Sequence, residues 1–166
     1  LICGAFLSKA QGIIISNLAN GGSDTADYVT VSNLQVWRDA LASIAPHVVL
    51  IMHGTNDKAA DLSTSGYTAN LGTIKTNIRT ARTRTDVVFV SPSDNDRGGA
   101  VSMAQYAAAL RQYANQNSDA HLDMYSIVGP FDVTNPRNII NKLSPSFHLS
   151  NDGGKYFARE FFHRIL

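Results

Sequence analysis

An unbroken apolar run, Val48-Val49-Leu50-Ile51-Met52, stands between His47 and His53. A strand with one face in water alternates apolar and polar residues. A run without alternation fits a strand buried on both faces, as in a parallel sheet covered by helices on each side. Similar short segments recur at Ile13-Ile14-Ile15, at Asp86-Val87-Val88-Phe89-Val90 and, more weakly, at Leu122-Asp123-Met124-Tyr125. Amphipathic segments separate them, and strands alternating with helices in this way predict a parallel sheet.

The helices are marked by spacing. Leu34, Trp37, Leu41 and Ile44 recur at steps of three and four and make one apolar face. Ser32 with Gln35 has the form of a capping box at its start, and Pro46 lies just past its end. Tyr67, Leu71, Ile74 and Ile78 give a second helix, with Lys75, Arg79 and Arg82 on its other face. Ser102 with Gln105 caps a third, which buries Tyr106, Leu110 and Tyr113. A last helix from about Ser150 uses Phe157, Phe161 and Ile165. The expected fold class is α/β: a three-layer α/β/α sandwich around a central parallel sheet, formed as a single domain over residues 1–166. The opening LICGAFLSKAQG has no Met and no charged stretch before its apolar residues, so it reads as a helix entered partway through a domain of a longer product.

Composition narrows the function. Lys and Arg (14) nearly cancel Asp and Glu (13), giving a net charge of +1 without a basic stripe, so a nucleic-acid partner is not expected. A hydrophobic fraction of 44% with 16% charged residues excludes a disordered chain. Cys3 stands alone, which excludes an internal disulfide and a cysteine-built zinc site. The five His are scattered without paired carboxylates at ligand spacing, so no metal or other cofactor is expected. No apolar run approaches the roughly 20 residues of a membrane span. Low charge and a single Cys fit an extracellular or virion setting without selecting it.

In a sheet of this kind ligands bind at the carboxyl ends of the strands. The loop after the buried strand reads His53-Gly54-Thr55-Asn56-Asp57. Gly54 permits a tight turn, Asn56 can aim a side-chain N–H into the cleft to stabilise an oxyanion, and Asp57 can hold the loop through backbone N–H groups. The same residues are also good turn formers. The loop after the first strand, Asn17 to Thr25, contains Gly21-Gly22, whose backbone N–H groups can face a ligand. Its plainer reading is a Gly-rich connection with a helix cap from Ser23 or Asp24. Without a Gly-Lys-Ser/Thr ending it is no phosphate-binding loop. Near the end, Ser144-Pro145-Ser146-Phe147-His148-Leu149-Ser150 leads into the last helix, where His148 can present its imidazole at the sheet edge as a general base. His47, His53, His121 and His163 read as polar surface residues.

These blocks, in this order, resemble the SGNH (GDSL-type) hydrolase family. Its second block is matched around Gly22, its Gly-x-Asn-Asp block by Gly54, Thr55, Asn56 and Asp57, and its last block by His148-Leu149-Ser150. The resemblance spans nearly the whole chain. It implies a flavodoxin-like sandwich, a Ser nucleophile, His148 as base, and Gly22 and Asn56 as oxyanion donors, with Gly54 and Asp57 supporting the loop. It implies an esterase or deacylase, with a small acyl group on a carbohydrate as the expected substrate, since no large apolar insertion is present to form a lipid-accepting lid.

The chain departs from the family twice. It has no Gly-Asp-Ser nucleophile block, and Pro145 stands where the family has the Asp that orients the His. Ser144, Ser146, Asp94, Asp96, Asp152 or a main-chain carbonyl could take that role. Gly22-Ser23-Asp24 serves as the second block, so Ser23 reads as a capping residue and not as the nucleophile. The missing block implies a missing strand between Ile13–Ile15 and Val48–Met52. Without it, two apolar strands would show unpaired edges, at roughly 1–3 kcal/mol for each unsatisfied backbone group. The expected partner is therefore the N-terminal remainder of the same polypeptide, supplying a strand and the Ser. The alternatives are an inactive glycan-binding or structural relative, which Pro145 favours, and a flavodoxin-like ligand-binding domain, which leaves His148 unexplained.

Overall fold

A computed structural model describes residues 14–131 and 148–165. In chain order the elements are α1 (Thr25–Ser32), α2 (Gln35–Ile44), β1 (Val48–Ile51), α3 (Thr55–Ala59), α4 (Thr64–Ala81), β2 (Asp86–Ser91), α5 (Met103–Gln116), β3 (Ala120–Asp123), α6 (Met124–Val128) and α7 (Asn151–Ile165). The strands form a parallel sheet in the order β1-β2-β3, with Leu50 opposite Val88 and Phe89 opposite His121.

The period-two alternation of a strand gives each side of β2 its own layer. On one side Val87 and Phe89 join Ile51, Leu41, and the α4 and α5 residues Tyr67, Leu71, Ile74, Ile78, Tyr106 and Leu110 in the main core. On the other, Val90 and Leu122 join Met124, with Val88, Ile127, Phe157 and Phe161 packed against them. Helices on both faces make this the three-layer α/β/α sandwich that the alternation predicts. Tyr67 and Tyr106, both fully buried, meet edge to face at 5.0 Å within the core. Trp37 packs against the same core.

Local rules explain most helix ends. Ser102 and Gln105 form the expected capping box, and Ser150 Oγ accepts from Gly153 N at 3.0 Å at the head of α7. The expected Ser32–Gln35 box is not formed. Ser32 is the buried last residue of α1, its hydroxyl accepting from Asn77 Nδ2 at 2.9 Å, and Leu34 caps α2 without a side-chain bond. The fourth strand lies two residues earlier than its sequence suggests, at Ala120–Asp123 instead of 122–125. Asp123 accepts from Ser126 N at 3.1 Å, which ends β3 and turns Met124 and Tyr125 into α6.

The first expected strand is also corrected. Ile13 lies outside the described residues, and Ile14 and Ile15 are not in a strand and are 62% and 76% exposed. The run Val48 to Met52 is buried on one face only. Ile51 enters the core, while Val48, Leu50 and Met52 are 46%, 45% and 51% exposed. The cause is position. Among the described residues β1 is the edge of the sheet, and α6 and α7 cover β2 and β3 on that face.

Candidate active site

The segment after β1 is not a loop throughout. Gly54 turns the chain at φ +134°, and Thr55–Ala59 then form the short helix α3. The positive φ favours glycine, and a Cβ there would press on Pro92 Cγ at 3.2 Å and Met103 Cε at 3.3 Å. Tyr67 Oη fixes the same turn by donating to the His53 carbonyl at 2.8 Å.

The loop before α1 is equally specified. Tyr28 Oη donates to Leu18 O at 2.7 Å and accepts from Asn20 N at 2.8 Å, strapping the loop to the helix that follows it. Gly22 adopts φ +85° with open space beside its Cα. Asp24, not Ser23, caps α1, and it shares a reciprocal capping box with Asp27. Ser23 Oγ instead accepts from Asn20 Nδ2 at 3.0 Å.

Asn56 joins these loops. Its Nδ2 donates to Ser23 O at 2.9 Å, and its Oδ1 accepts from the Arg97 guanidinium. A carbonyl can only accept and a guanidinium can only donate, so the orientation of the carboxamide is unambiguous. One Nδ2–H is used on Ser23, beside Gly22, and a second remains on the same nitrogen.

Asp57 is fully buried and accepts from Thr25 N at 3.0 Å and from the Thr25 hydroxyl. Asn70 Nδ2 donates to that hydroxyl at 3.0 Å, extending the chain of bonds to α4. Asp57 thus bonds the backbone N–H of Thr25 in α1 and not an N–H of its own loop. Among the described residues its Oδ2 has no partner.

The loop after β2 was legible only as a set of candidate acids, and it contributes Arg97 instead. Asp94 is engaged with backbone, accepting from Asn95 N and Phe131 N at 2.9 Å each. Asp96 is exposed, and exposed Asp152 pairs with Lys155 at 3.3 Å within α7. The buried Lys58 donates to Asn95 O at 2.9 Å, and Asn95 Oδ1 accepts from Arg97 N at 3.1 Å.

His148 is exposed directly ahead of α7, whereas Ser144, Pro145 and Ser146 lie outside the described residues. Two other histidines are more buried than their sequence setting suggests. Burial pushes the His53 imidazole below its ordinary range, against the opposing pull of Asp57, Asp24 and Asp27, and the ring meets Tyr28 edge on at 4.7 Å. Burial does the same to His121, whose Nε2 lies 2.8 Å from Ser91 Oγ. Among the described residues no group of His, Cys, Asp or Glu could hold a metal ion, and no helix is long and apolar enough to cross a membrane.

Comparison with known proteins places this geometry. A carbohydrate esterase family 3 protein from Talaromyces cellulolyticus superposes with a TM-score of 0.66 at 14% identity, over 87% of this chain and 67% of that one. A peptidoglycan O-acetylesterase gives a TM-score of 0.70 at 14% identity, over 87% of this chain and 43% of that one. A GDSL-like lipase from Bacteroides thetaiotaomicron VPI-5482 gives 0.62 at 14% identity, over 87% and 73%. No curated protein matches the chain by sequence. The profile of the GDSL-like lipase/acylhydrolase family matches residues 3–156, nearly the whole length. The chain belongs to the GDSL-like lipase/acylhydrolase family.

Proposed function

We propose that this chain is the oxyanion-hole and general-base part of a serine ester hydrolase that removes acetyl or another short acyl group from a carbohydrate. The observation that carries the reading is the fixed Asn56 carboxamide, held beside Gly22 with one N–H still to give. A donor held in place before reaction needs no reorganisation when charge develops, and this is the largest contribution in acyl transfer.

The chemistry follows from those positions. A serine Oγ attacks the acyl carbonyl carbon while His148 accepts the hydroxyl proton. The carbonyl oxygen becomes an oxyanion and accepts from Gly22 N–H and Asn56 Nδ2–H. Collapse expels the sugar alkoxide, which takes the proton from His148, and water then releases the acyl group by the same two steps. The serine and its strand are supplied by the polypeptide preceding this sequence. The edge position of β1 among the described residues supports that reading, because Val48, Leu50 and Met52 form an exposed apolar surface there. The carbohydrate assignment draws on the carbohydrate esterase and the peptidoglycan O-acetylesterase among the similar structures. A glycan-binding relative without turnover is the second reading, favoured by Pro145 at the place of the orienting acid.

The test is hydrolysis of an acetylated sugar by the complete polypeptide. Asn56→Ala is expected to lower kcat about 100- to 1000-fold, and His148→Ala to abolish turnover. Unchanged kcat in Asn56→Ala overturns the oxyanion assignment. Absence of any turnover in the unmodified protein favours the binding relative.

A further inference from the structure

We infer that Arg97 is a positioning residue that acts through Asn56, fixing its carboxamide and strengthening it as an oxyanion donor. The inference rests on the proposed acyl-hydrolase reading for its catalytic consequence. Arg97 lies on the loop after β2, Asn56 on α3 after β1, and both are half-buried.

Two physical effects act together. The first is orientation. With Ser23 O on its nitrogen and the Arg97 guanidinium on its oxygen, the Asn56 side chain is pinned at both ends and cannot flip. The second is polarisation. A guanidinium on the amide oxygen draws electron density from the nitrogen, so the remaining N–H becomes a stronger donor, and partial desolvation enhances the coupling.

The loop carrying Arg97 is built to hold it. Lys58, buried at the end of α3, ties the Asn95 carbonyl, and Asn95 Oδ1 ties the Arg97 backbone. Asp61 Oδ1 accepts from Ala100 N at 2.6 Å on the far side. Gly99 sits at φ +144° where a Cβ would come 2.1 Å from the Lys58 carbonyl oxygen, so the loop lies against α3 as closely as backbone allows. The result is one rigid unit joining the ends of β1 and β2.

The test uses the complete polypeptide with Arg97→Met, Arg97→Lys, Asn56→Ala and the double variant Arg97→Met/Asn56→Ala. Arg97→Met is expected to lower kcat about tenfold with KM within about twofold, and to cost little more once Asn56 is already alanine, because both residues act on one donor. Arg97→Lys, which keeps the charge and one donor, is expected to restore part of kcat. A loss of equal size in both backgrounds, or a rise in KM instead of a fall in kcat, overturns the inference. NMR of the Asn56 side-chain amide reads the contact without turnover: its resonances are expected to shift in Arg97→Met. Unchanged resonances overturn the inference even if Asn56→Ala is crippled. Shifted resonances with a fully active Asn56→Ala protein would instead overturn the oxyanion assignment of Asn56, and with it the catalytic consequence, leaving Arg97 only as the group that holds Asn56.

Discussion

The Asp57 carboxylate on α3 and Thr25 at the first turn of α1 form a buried pair across 32 positions of sequence, with the Thr25 backbone N–H 3.0 Å from Oδ1. Neither residue is exposed to solvent, and the Thr25 hydroxyl donates to the same oxygen. Removing the carboxylate strands a buried N–H and a buried hydroxyl. Asp57→Ala is therefore expected to destabilise the complete protein by about 3 kcal/mol in urea unfolding, and a loss under about 0.5 kcal/mol would contradict the pairing.

Gly99 and Gly22 both have positive φ, yet they differ in surroundings. A Cβ at Gly99 would collide with the Lys58 carbonyl, whereas nothing lies within 4 Å of one at Gly22. Gly22→Ala is expected to cost only about 1 kcal/mol of backbone strain, with Gly99→Ala costing more and displacing the Arg97 loop. Thermal unfolding of the two variants orders them. Equal costs would show that the loop after β2 does not pack against α3.

Stability should fall on the acid side through His53. Burial lowers its affinity for a proton in the folded state, so the unfolded chain binds more protons below the ordinary value of 6.5. The contribution is complete above that value and declines as the pH drops through it toward the lowered folded value. His121 acts with the same sign. His53→Gln is expected to flatten the pH dependence of unfolding over about pH 5–7 without removing the part due to His121. An unchanged slope would contradict the burial of His53.

Leu50 offers a check on the open edge. It is 45% exposed on β1, where a surface substitution would ordinarily be mild. If the complete polypeptide covers this face, Leu50→Asp is expected to cost about 2–4 kcal/mol, because it buries an unpaired charge and removes apolar contact. A cost under about 0.5 kcal/mol would show that the face stays in water.

Strong periodic signals were legible in the sequence. Tyr67, Leu71, Ile74 and Ile78 are all buried on α4, and the Ser102–Gln105 box forms as written. Their information is local, one helical face or one turn. The same holds for the Gly54–Asp57 motif, whose turn depends on one glycine. What failed depends on partners distant in sequence. Ser32 has a capping residue's chemistry, but Asn77 of α4 engages its hydroxyl. The Ile14–Ile15 segment has a strand's composition, but composition cannot supply a neighbouring strand to pair with. Arg97 escaped notice for the same reason. Nothing near it in sequence points to Asn56, and only the parallel pairing of β1 with β2 brings their following segments together. Two adjacent glycines after a strand, Gly98 and Gly99, were the available hint that this loop packs closely on another element.

The most direct measurement of the central claim is labelling of the complete polypeptide with a serine-directed fluorophosphonate, followed by mapping of the modified residue. The account predicts stoichiometric labelling of a serine that precedes Leu1, abolished in His148→Ala. A protein that takes up no label, or takes it up on Ser23, would contradict it.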